Sequence, residues 1–224
     1  MNIDIVSYYR DRANEYEKVY SKPERQEDLQ QATRILQKIF RNKEVFEIAC
    51  GTGYWTEKIA KSAKTILATD INESVIEIAK NKKYYPAKVD FQIGDIFNID
   101  TKIKHESLFG GFIWSHIKIE DLNNFVKSVA DLVIPGGTIA FIDNNYVEGS
   151  SLPIAEIDEQ GNSYQVRQLE NNSTYKVLKN FPEEKFLKQL LNDKASKIDF
   201  INLKYYWILT YENTMLKGDN RPYS

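Results

Sequence analysis

The chain has 224 residues, of which 42% are hydrophobic and 28% are charged, and its formal net charge is −2. This composition is typical of one globular domain with a sizeable core, and the charge gives no electrostatic reason to expect nucleic acid or an anionic membrane as a partner. The single cysteine, Cys50, excludes an internal disulfide, and without a signal-peptide or membrane-span pattern we expect a cytoplasmic protein.

Aromatic residues mark the first predicted helix, over residues 7–20. Tyr9, Ala13, Tyr16 and Tyr20 recur at helical spacing and form one stripe. The stripe could simply pack on the rest of the domain, or it could cover a bound ligand as a lid.

A longer helix is predicted over residues 24–41, since Pro23 suits a helix start and apolar residues share one face. The opposite face carries Arg25 among other charged residues, and we expect it to be solvated. The next segment, Val45–Ala49, is mostly apolar and predicts a buried strand.

A glycine loop joins this strand to a helix predicted over residues 54–63. A strand, a glycine loop and a helix in that order bring backbone N–H groups to one place. Gly51 and Gly53 lack a Cβ, so the loop can turn tightly and let a ligand approach the main chain. Glu47, inside the strand, suits a cationic ligand end better than a phosphate.

The second predicted strand, Thr65–Thr69, ends in Asp70. An acid at the tip of the second strand is placed to accept hydrogen bonds from a ribose diol, so we expect an adenosine-containing ligand. A dinucleotide fingerprint needs a third small residue after the glycines, but Thr56 follows two bulky aromatic residues there. Pyrophosphate is therefore a poor ligand for this loop.

Three further strands are predicted over residues 88–93, 108–114 and 138–142, and helices alternate with them. This alternation favours a parallel sheet covered on both faces, in which ligands bind outside the carboxyl ends of the strands. Polar side chains follow four of the predicted strands, namely Asp70, Asp95, His116 and Asp143. We therefore expect the site at this edge of the sheet.

The pattern changes between residues 146 and 181, where turn residues flank a predicted hairpin. Arg167 and Lys179 on this hairpin could bind an anionic substrate group, and an arginine would grip a carboxylate or phosphonate with two hydrogen bonds. Alternatively they are exposed strand charges, which we favour for Lys179. A helix after Pro182 and antiparallel strands within residues 198–211 complete the predicted elements.

The run Glu47-Ile-Ala49-Cys-Gly51-Thr-Gly53 resembles the first motif of class I S-adenosylmethionine-dependent methyltransferases, which has the form acid-x-Gly-x-Gly-x-Gly. Ala49 replaces the first glycine. The whole chain is similar to small-molecule members of this class, a group that includes a phosphonate O-methyltransferase of natural-product biosynthesis. The runs that carry this wider similarity are Ser7-Tyr-Tyr-Arg-x-Arg-Ala, Gly51-Thr-Gly-Tyr-Trp-Thr56 and Trp114-Ser-His116.

The resemblance implies an α/β fold, with a Rossmann-like, seven-stranded, mostly parallel sheet and helices on both faces. It also implies an N-terminal helical lid and a β-hairpin insertion after strand five. Within one methyltransferase domain over residues 1–224, we expect an N-terminal helical cap (1–41), a cofactor-binding core (42–145), the hairpin insertion (146–181) and a closing helix with strands (182–224).

The resemblance further implies S-adenosyl-L-methionine as the cofactor. In this family an acid after the third strand meets the adenine amine and the next residue packs on the ring, and Asp95 and Ile96 match those positions. Asp95 could instead be only a turn residue. Tyr9 and Tyr16 are the lid candidates. The expected cofactor-binding residues are Tyr9, Tyr16, Glu47, Ala49, Gly51, Gly53, Trp55, Asp70, Ile71, Asp95, Ile96 and Trp114.

Methyl transfer from a sulfonium requires the protein to align a nucleophile, exclude water and, where needed, remove a proton. His116 is the candidate base, since it follows the fourth strand at the expected mouth of the site; alternatively it is a surface or capping histidine. His105 lies in a polar stretch, and we expect it to be solvent-exposed. Without a histidine–carboxylate cluster in the sequence, we expect no metal.

These patterns lead to one main prediction and two alternatives. We predict an S-adenosylmethionine-dependent methyltransferase that acts on a small polar or anionic acceptor and methylates an oxygen atom rather than a nitrogen atom. We expect the protein to be a monomer or a homodimer. The alternatives are a non-catalytic binding module with the same fold and an NAD-dependent oxidoreductase.

Overall fold

The computed structural model describes residues 3–100 and 102–214, and the outer ends of the predicted cap and closing segments lie outside these ranges. The strands are β1 (Glu44–Ile48), β2 (Thr65–Asp70), β3 (Lys88–Ile93), β4 (His105–Gly111), β5 (Val133–Asn144), β6 (Glu156–Ile157), β7 (Ser163–Gln168), β8 (Thr174–Leu178), β9 (Ala195–Asn202) and β10 (Tyr206–Asn213). The α-helices are α1 (Ile3–Asp11), α2 (Gln26–Ile39), α3 (Tyr54–Ile59), α4 (Glu73–Lys80), α5 (Leu122–Ala130) and α6 (Glu184–Leu191). Short 3₁₀ helices cover Ala13–Ser21, Pro23–Arg25, Trp114–His116, Ile119–Asp121 and Asn192–Lys194. No helix within the described ranges combines the length and the hydropathy of a membrane span.

The main sheet has the strand order β3-β2-β1-β4-β5-β10-β9. Neighbouring strands from β3 to β5 are parallel, whereas β10 runs antiparallel to both β5 and β9. This confirms the predicted seven-stranded, mostly parallel sheet. The order reverses between β1 and β4, and the carboxyl ends of strands at such a reversal flank a crevice where ligands bind.

Alternating side chains of the central strands face two separate hydrophobic clusters. Val45 packs with buried residues of α2 and α3, while its neighbour Phe46 packs with buried residues of α5 and α6. Leu36 of α2 and Phe125 of α5 are fully buried, one on each face of the sheet. The helices therefore cover both faces, as predicted, and hold the strand ends in fixed positions.

The N-terminal residues cover the carboxyl edge of the sheet, but not as the single helix predicted over residues 7–20. The first helix gives way to a 3₁₀ helix at Ala13. Tyr20 stacks on Tyr54, with ring centroids 3.6 Å apart and planes within 6°. This tertiary contact overrides the weak helical preference of the stretch. We call residues 3–21 the N-terminal cover.

The insertion after β5 is a three-stranded antiparallel sheet, β6-β7-β8, rather than a hairpin alone. Strands β7 and β8 form the predicted hairpin, and the two-residue β6 adds to its edge. The backbone N–H of Asn180 donates to the carbonyl of Ser115 at 2.8 Å. This bond ties the insertion to the segment that follows β4, so the insertion stands beside the carboxyl ends of the strands.

Two side chains expected in solvent are withdrawn from it. Arg25 is only 8% exposed, because its guanidinium lies over two tyrosine rings and donates hydrogen bonds to Ser150. A guanidinium keeps favourable interactions in such a setting, so it can leave water. His105 is half-buried, since β4 begins there and its ring stacks on Phe46 at 4.1 Å. This burial lowers the pKa of His105.

Candidate active site

A cleft lies at the carboxyl edge of the sheet, between the ends of β1 to β4 and the N-terminal cover. Its open space is about 760 Å³, including the part that opens to solvent. Eight of the expected cofactor residues line it, namely Tyr9, Tyr16, Ala49, Gly51, Asp70, Ile71, Asp95 and Ile96. His116, the candidate base, lines the same space. We call it the inner cleft.

Asp70 is held in the inner cleft by two backbone amides. The N–H of Gly51 donates to Asp70 Oδ2 and the N–H of Asn72 donates to Oδ1, each at 2.9 Å. Burial raises the pKa of Asp70, while these hydrogen bonds act in the opposite direction. A carboxylate oxygen can accept more than one hydrogen bond, so both oxygens keep capacity for ligand hydroxyls. The arrangement suits a ribose diol.

Two residues other than glycine adopt left-handed backbone conformations at the cleft. Ala49 has a φ of +51° and Phe112 has a φ of +58°, and each directly follows a central strand. A left-handed conformation costs an L-residue about 1–2 kcal/mol. Such strain concentrates at functional sites, where the surrounding structure enforces it. Ala49 occupies the first glycine position of the resembled motif, and its φ explains why a glycine suits that place.

Gly53 serves the packing of the loop rather than the inner cleft. Its φ is +77°, and a Cβ there would lie 3.0 Å from the Cβ of Ala79 and overlap the hydroxyl of Tyr84. Only glycine lets the loop approach α4 this closely. Gly53 is therefore required by the contact with this helix, and it does not line the inner cleft.

Glu47 lies behind the loop and is 1% exposed, and nothing among the described residues bonds to its Oε2. Burial raises the pKa of Glu47 to about 8. A buried carboxyl group without a partner is costly and is stabilised when a cation or a donor reaches it. Although Glu47 does not line the inner cleft itself, its unsatisfied oxygen fits a cationic group that reaches past the loop.

Glu47→Gln should change how the stability of the ligand-free protein depends on pH. The folded pKa of about 8 exceeds the ordinary value of 4.5, so the stabilising contribution is complete below pH 4.5 and is lost as pH rises through 8. The glutamine variant lacks this loss. Thermal unfolding between about pH 5 and pH 8 should therefore show a steeper decline for the wild type than for the variant.

Glu44→Gln is the matched control for this measurement. Glu44 lies on the same strand, but its side chain is exposed and paired with Lys64. That pairing lowers the pKa of Glu44, so the control should follow the wild type across the tested range. An equal decline of Tm with rising pH in the wild type and in Glu47→Gln would contradict the raised pKa of Glu47.

His116 is 6% exposed, so it is not a surface histidine, and it bridges the N-terminal cover and the insertion. Its Nδ1 lies 2.6 Å from the carbonyl of Leu178, and its Nε2 lies 2.6 Å from the hydroxyl of Tyr9. A carbonyl can only accept, so Nδ1–H donates to it, and the neutral Nε2 accepts the hydroxyl hydrogen of Tyr9. Burial, followed by the charges of Lys179 and Arg167, lowers the pKa of His116 well below its ordinary value. His116 is thus a neutral ring fixed in one tautomer.

A second cavity adjoins the inner cleft and shares Tyr9, Tyr16 and Phe112 with it. Its open space is about 1410 Å³, including the part that opens to solvent. The described charged residues that line it are mostly basic: Arg12, Lys22, Arg25, Arg167 and Lys179, with Glu15 as the acid. We call this space the outer cavity. Its basic lining favours an anionic ligand.

Lys179 is buried in the wall of the outer cavity, in contrast to the exposed strand charge that we favoured from the sequence. Its Nζ donates to Asp143 Oδ1 at 2.8 Å and to Ser115 Oγ at 2.6 Å. The lysine side chain is 5% exposed and that of Asp143 is 0% exposed. Burial lowers the pKa of Lys179 to about 8. The burial is explained by the carboxylate at the end of β5, since a charge leaves water only with a partner.

The structure does not bring Trp55 and Trp114 to the inner cleft, where cofactor contacts were expected. Trp114 is 1% exposed and packs edge-to-face on Phe125 and Phe141. Trp55 is 3% exposed and lies in the hydrophobic cluster on the other face of the sheet. Large rings gain most from full burial, which explains their places in the core. Both indoles support the segments that line the cleft.

Sequence reasoning missed Phe112, which lines both the inner cleft and the outer cavity. It also missed Arg12, which lines the outer cavity. A signal for Arg12 existed, because it stands three residues after Tyr9 and four before Tyr16, within reach of a helical stripe. No local signal in the sequence predicts the position of Phe112, because that position depends on the left-handed backbone conformation that the residue adopts directly after β4.

Comparison with known proteins agrees with this architecture. The sequence pattern of a family described as methyltransferase domain matches residues 45–137. A DhpI–SAH complex structure is 23% identical, with a TM-score of 0.78 over 94% of this chain and 95% of that chain. A DhpI–SAM–HEP complex is 24% identical, with a TM-score of 0.75 over 93% of this chain and 96% of that chain. Residues 45–137 therefore carry the sequence pattern of a methyltransferase domain, and the chain has the fold of these two methyltransferase-type structures.

Two curated relatives match part of this chain. The ubiquinone biosynthesis O-methyltransferase of Coxiella burnetii (strain Dugway 5J108-111) is 26% identical over 110 residues, which are 47% of this chain and 46% of the relative. The malonyl-[acyl-carrier protein] O-methyltransferase 1 of Ilyobacter polytropus is 30% identical over 101 residues, 43% of this chain and 36% of the relative. The chain thus matches less than half of the length of each relative.

Proposed function

We propose that this methyltransferase domain transfers a methyl group from S-adenosylmethionine in the inner cleft to an oxygen of a small anionic acceptor in the outer cavity. The observation that supports this most is the junction of the two spaces at Tyr9, Tyr16 and Phe112. Methyl transfer requires donor and acceptor to meet in line while water is excluded. A cleft lined by acids and a cavity lined by cations that share one wall meet this requirement.

The inner cleft fits the cofactor through side chains at successive strand ends. Asp70 would accept hydrogen bonds from the ribose hydroxyls and Asp95 from the adenine amine, while Ile96 would pack on the ring. The unsatisfied oxygen of Glu47 would meet the ammonium group of the methionine tail. When bound, S-adenosylmethionine supplies a methyl group on a positively charged sulfur.

The charge of the outer cavity supports an anionic acceptor. Arg167 and Lys179, the substrate residues expected from the sequence, both line this space. A guanidinium offers two parallel donors to a carboxylate or phosphonate, and an ammonium adds a compact positive charge. An amine acceptor would enter as a cation, which this lining disfavours. The names of the two O-methyltransferase relatives also favour oxygen over nitrogen.

For an acceptor oxygen that carries a proton, we place His116 as the base, acting through Tyr9. The tyrosine lines both spaces, and its hydroxyl hydrogen points to Nε2 of His116. The acceptor's proton moves to the tyrosine oxygen as the tyrosine hydrogen moves to Nε2, which leaves the acceptor oxygen negatively charged. An acceptor that is already ionised needs no proton transfer. In that case the hydrogen bond between His116 and Tyr9 only positions the tyrosine at the junction.

Incubation with S-adenosylmethionine labelled in its methyl group tests this proposal. Label should move to small carboxylates, phosphonates or phosphate monoesters, and much more slowly to uncharged analogues of the same size. Tight binding of S-adenosylhomocysteine without transfer to any compound of a broad metabolite extract would support a binding module instead. Thermal stabilisation by NAD but not by S-adenosylhomocysteine would support an oxidoreductase.

His116→Ala should lower turnover, by about 100-fold where the acceptor oxygen carries a proton, and leave the affinity for S-adenosylhomocysteine nearly unchanged. The substitution removes the group that accepts the Tyr9 hydroxyl hydrogen. Steady-state kinetics and calorimetric titration measure the two quantities. His105→Ala is the control, since that ring stacks on Phe46 at the start of β4 and should keep its turnover. A wild-type rate in His116→Ala would remove His116 from the mechanism.

A further inference from the structure

Arg12 lines the outer cavity from the N-terminal cover, at the point where α1 gives way to the 3₁₀ helix. Its guanidinium carbon lies 5.5 Å from the ring centroid of Tyr8 and 5.4 Å from that of Tyr16. Among the described residues, no carboxylate forms an ion pair with it, and its side chain makes no hydrogen bond. Its neighbour Arg10 differs, because it is exposed and bonded to Asp11 at 2.8 Å.

Arg167 approaches the same tyrosine ring from the insertion. It lies on β7 of the insertion, and its guanidinium carbon is 5.5 Å from the centroid of the same Tyr8 ring. Its side chain donates to Gln165 Oε1 at 2.8 Å and 3.3 Å, and within the described ranges no carboxylate pairs with it. Two guanidiniums from two separate elements therefore converge on one aromatic ring at the edge of one cavity.

No ion pair within the described ranges neutralises these two charges. Glu15, the described acid that lines the outer cavity, pairs with neither guanidinium, and its Oε1 accepts the backbone N–H of Glu170 at 3.3 Å. Lys179 is neutralised by Asp143, so that ion pair adds little net charge. Two partly buried guanidiniums repel each other, and an anion with two or more terminal oxygens placed between them would relieve this and accept hydrogen bonds from both.

The N-terminal cover also closes the inner cleft, because Val6, Tyr9 and Tyr16 line it. The cover is joined to the insertion by a buried cluster in which Ile5 and Tyr8 pack with residues of the insertion. Two polar contacts add to it, the bond from Tyr175 Oη to Asp11 at 2.7 Å and the ion pair of Lys18 with Glu170, and both are exposed and individually weak. A bridge from Arg12 through an anion to Arg167 would add a polar contact between the same two elements that is stronger than either of these.

We propose that Arg12 and Arg167 together bind one anionic group of the acceptor, a carboxylate, phosphonate or phosphate, and that this bridge fastens the N-terminal cover over the inner cleft. This inference rests on the proposed function and goes beyond it. It makes Arg12 a substrate-binding residue and makes occupancy of the outer cavity control the exchange of cofactor. The acceptor anion thus holds the cofactor in place while it is itself bound.

The release rate of labelled S-adenosylhomocysteine, chased with excess unlabelled compound, tests this coupling. Methylphosphonate serves as the anionic probe, with potassium chloride at the same ionic strength for comparison. The phosphonate should slow release from the wild type by about tenfold, within the usual range of coupling between two sites. Arg12→Gln and Arg167→Gln should each abolish the slowing, and the double variant should lose no more than either single one.

Arg10→Gln is the matched control, since it removes a neighbouring arginine of the cover that is paired with Asp11. It should retain the slowing in full, and Arg12→Lys should retain part of it. Equal slowing in the wild type and Arg12→Gln, or equal slowing by chloride, would overturn the anion bridge alone. Failure of the wild type to bind S-adenosylhomocysteine would overturn the proposed function as well, so the two failures are distinguishable.

Discussion

Asp70→Ala should reduce the affinity for S-adenosylhomocysteine by about 100-fold or more. The carboxylate lines the inner cleft and is fixed there by the N–H groups of Gly51 and Asn72. A hydrogen bond to a charged group is worth about 1.5–3 kcal/mol, so losing two of them exceeds the roughly 2.7 kcal/mol that a 100-fold change requires. Isothermal titration calorimetry measures the effect, and thermal unfolding checks that the variant is folded.

Asp90→Ala is the matched control for this prediction. Asp90 lies on the neighbouring strand β3, but its side chain is 61% exposed and is paired with Lys88. Its removal should leave the affinity within about twofold of the wild type. Asp70→Asn should fall between the two, because the amide keeps the shape but has a single acceptor oxygen. A folded Asp70→Ala protein with wild-type affinity would place the nucleoside elsewhere.

Lys179→Met should lower the free energy of unfolding by about 3–5 kcal/mol, which corresponds to a fall in Tm of roughly 6–20 °C. The substitution leaves the carboxylate of Asp143, which is 0% exposed, without its cation. The backbone N–H groups of Ser115 and Asn144 still donate to that carboxylate, which places the loss near the lower end of the range. Differential scanning calorimetry measures both the Tm and the enthalpy.

Lys176→Met offers a close comparison, since Lys176 lies on β8 three residues before Lys179. Lys176 pairs with Glu156, but the two side chains are 50% and 53% exposed. An exposed pair of this kind contributes at most about 1 kcal/mol, so this variant should remain close to the wild type. The double variant Lys179→Met with Asp143→Asn should recover part of the loss, since it removes the uncompensated charge. Equal stability of Lys179→Met and Lys176→Met would show that the buried pair does not stabilise the fold.

The residues of the inner cleft could be predicted from the sequence because their places depend on local order alone. An apolar strand followed by a polar side chain puts that side chain at the edge of the sheet, and parallel strands bring these edges together. Asp70, Asp95 and His116 required only this rule. The glycine loop after β1 was predictable for a similar reason, because closely spaced glycines such as Gly51 and Gly53 are typical of a tight backbone turn. The parallel part of the sheet followed from the alternation of strands and helices, whereas the count of seven strands came from the resemblance to the methyltransferase class.

The contacts between distant segments could not be predicted in this way. His116 and Tyr9 are 107 residues apart, and Lys179 and Asp143 are 36 residues apart. Nothing local distinguishes a lysine that will be buried against a carboxylate from one that will remain in solvent. The pairing is decided by how the insertion and the N-terminal cover pack on the sheet, and tertiary packing overrides local preference. Arg167 and Lys179 were the candidates from the sequence for binding an anion, but the grouping of Arg12, Lys22 and Arg25 with them around the outer cavity became visible only in the structure.

A crystal structure of the protein grown with S-adenosylhomocysteine is the most direct measurement of where the cofactor binds. We predict the ribose on Asp70, the adenine beside Asp95 and Ile96, and the sulfur turned toward the junction at Tyr9 and Phe112. Electron density for the compound in another part of the molecule, or an inner cleft without density at a saturating concentration, would contradict this assignment.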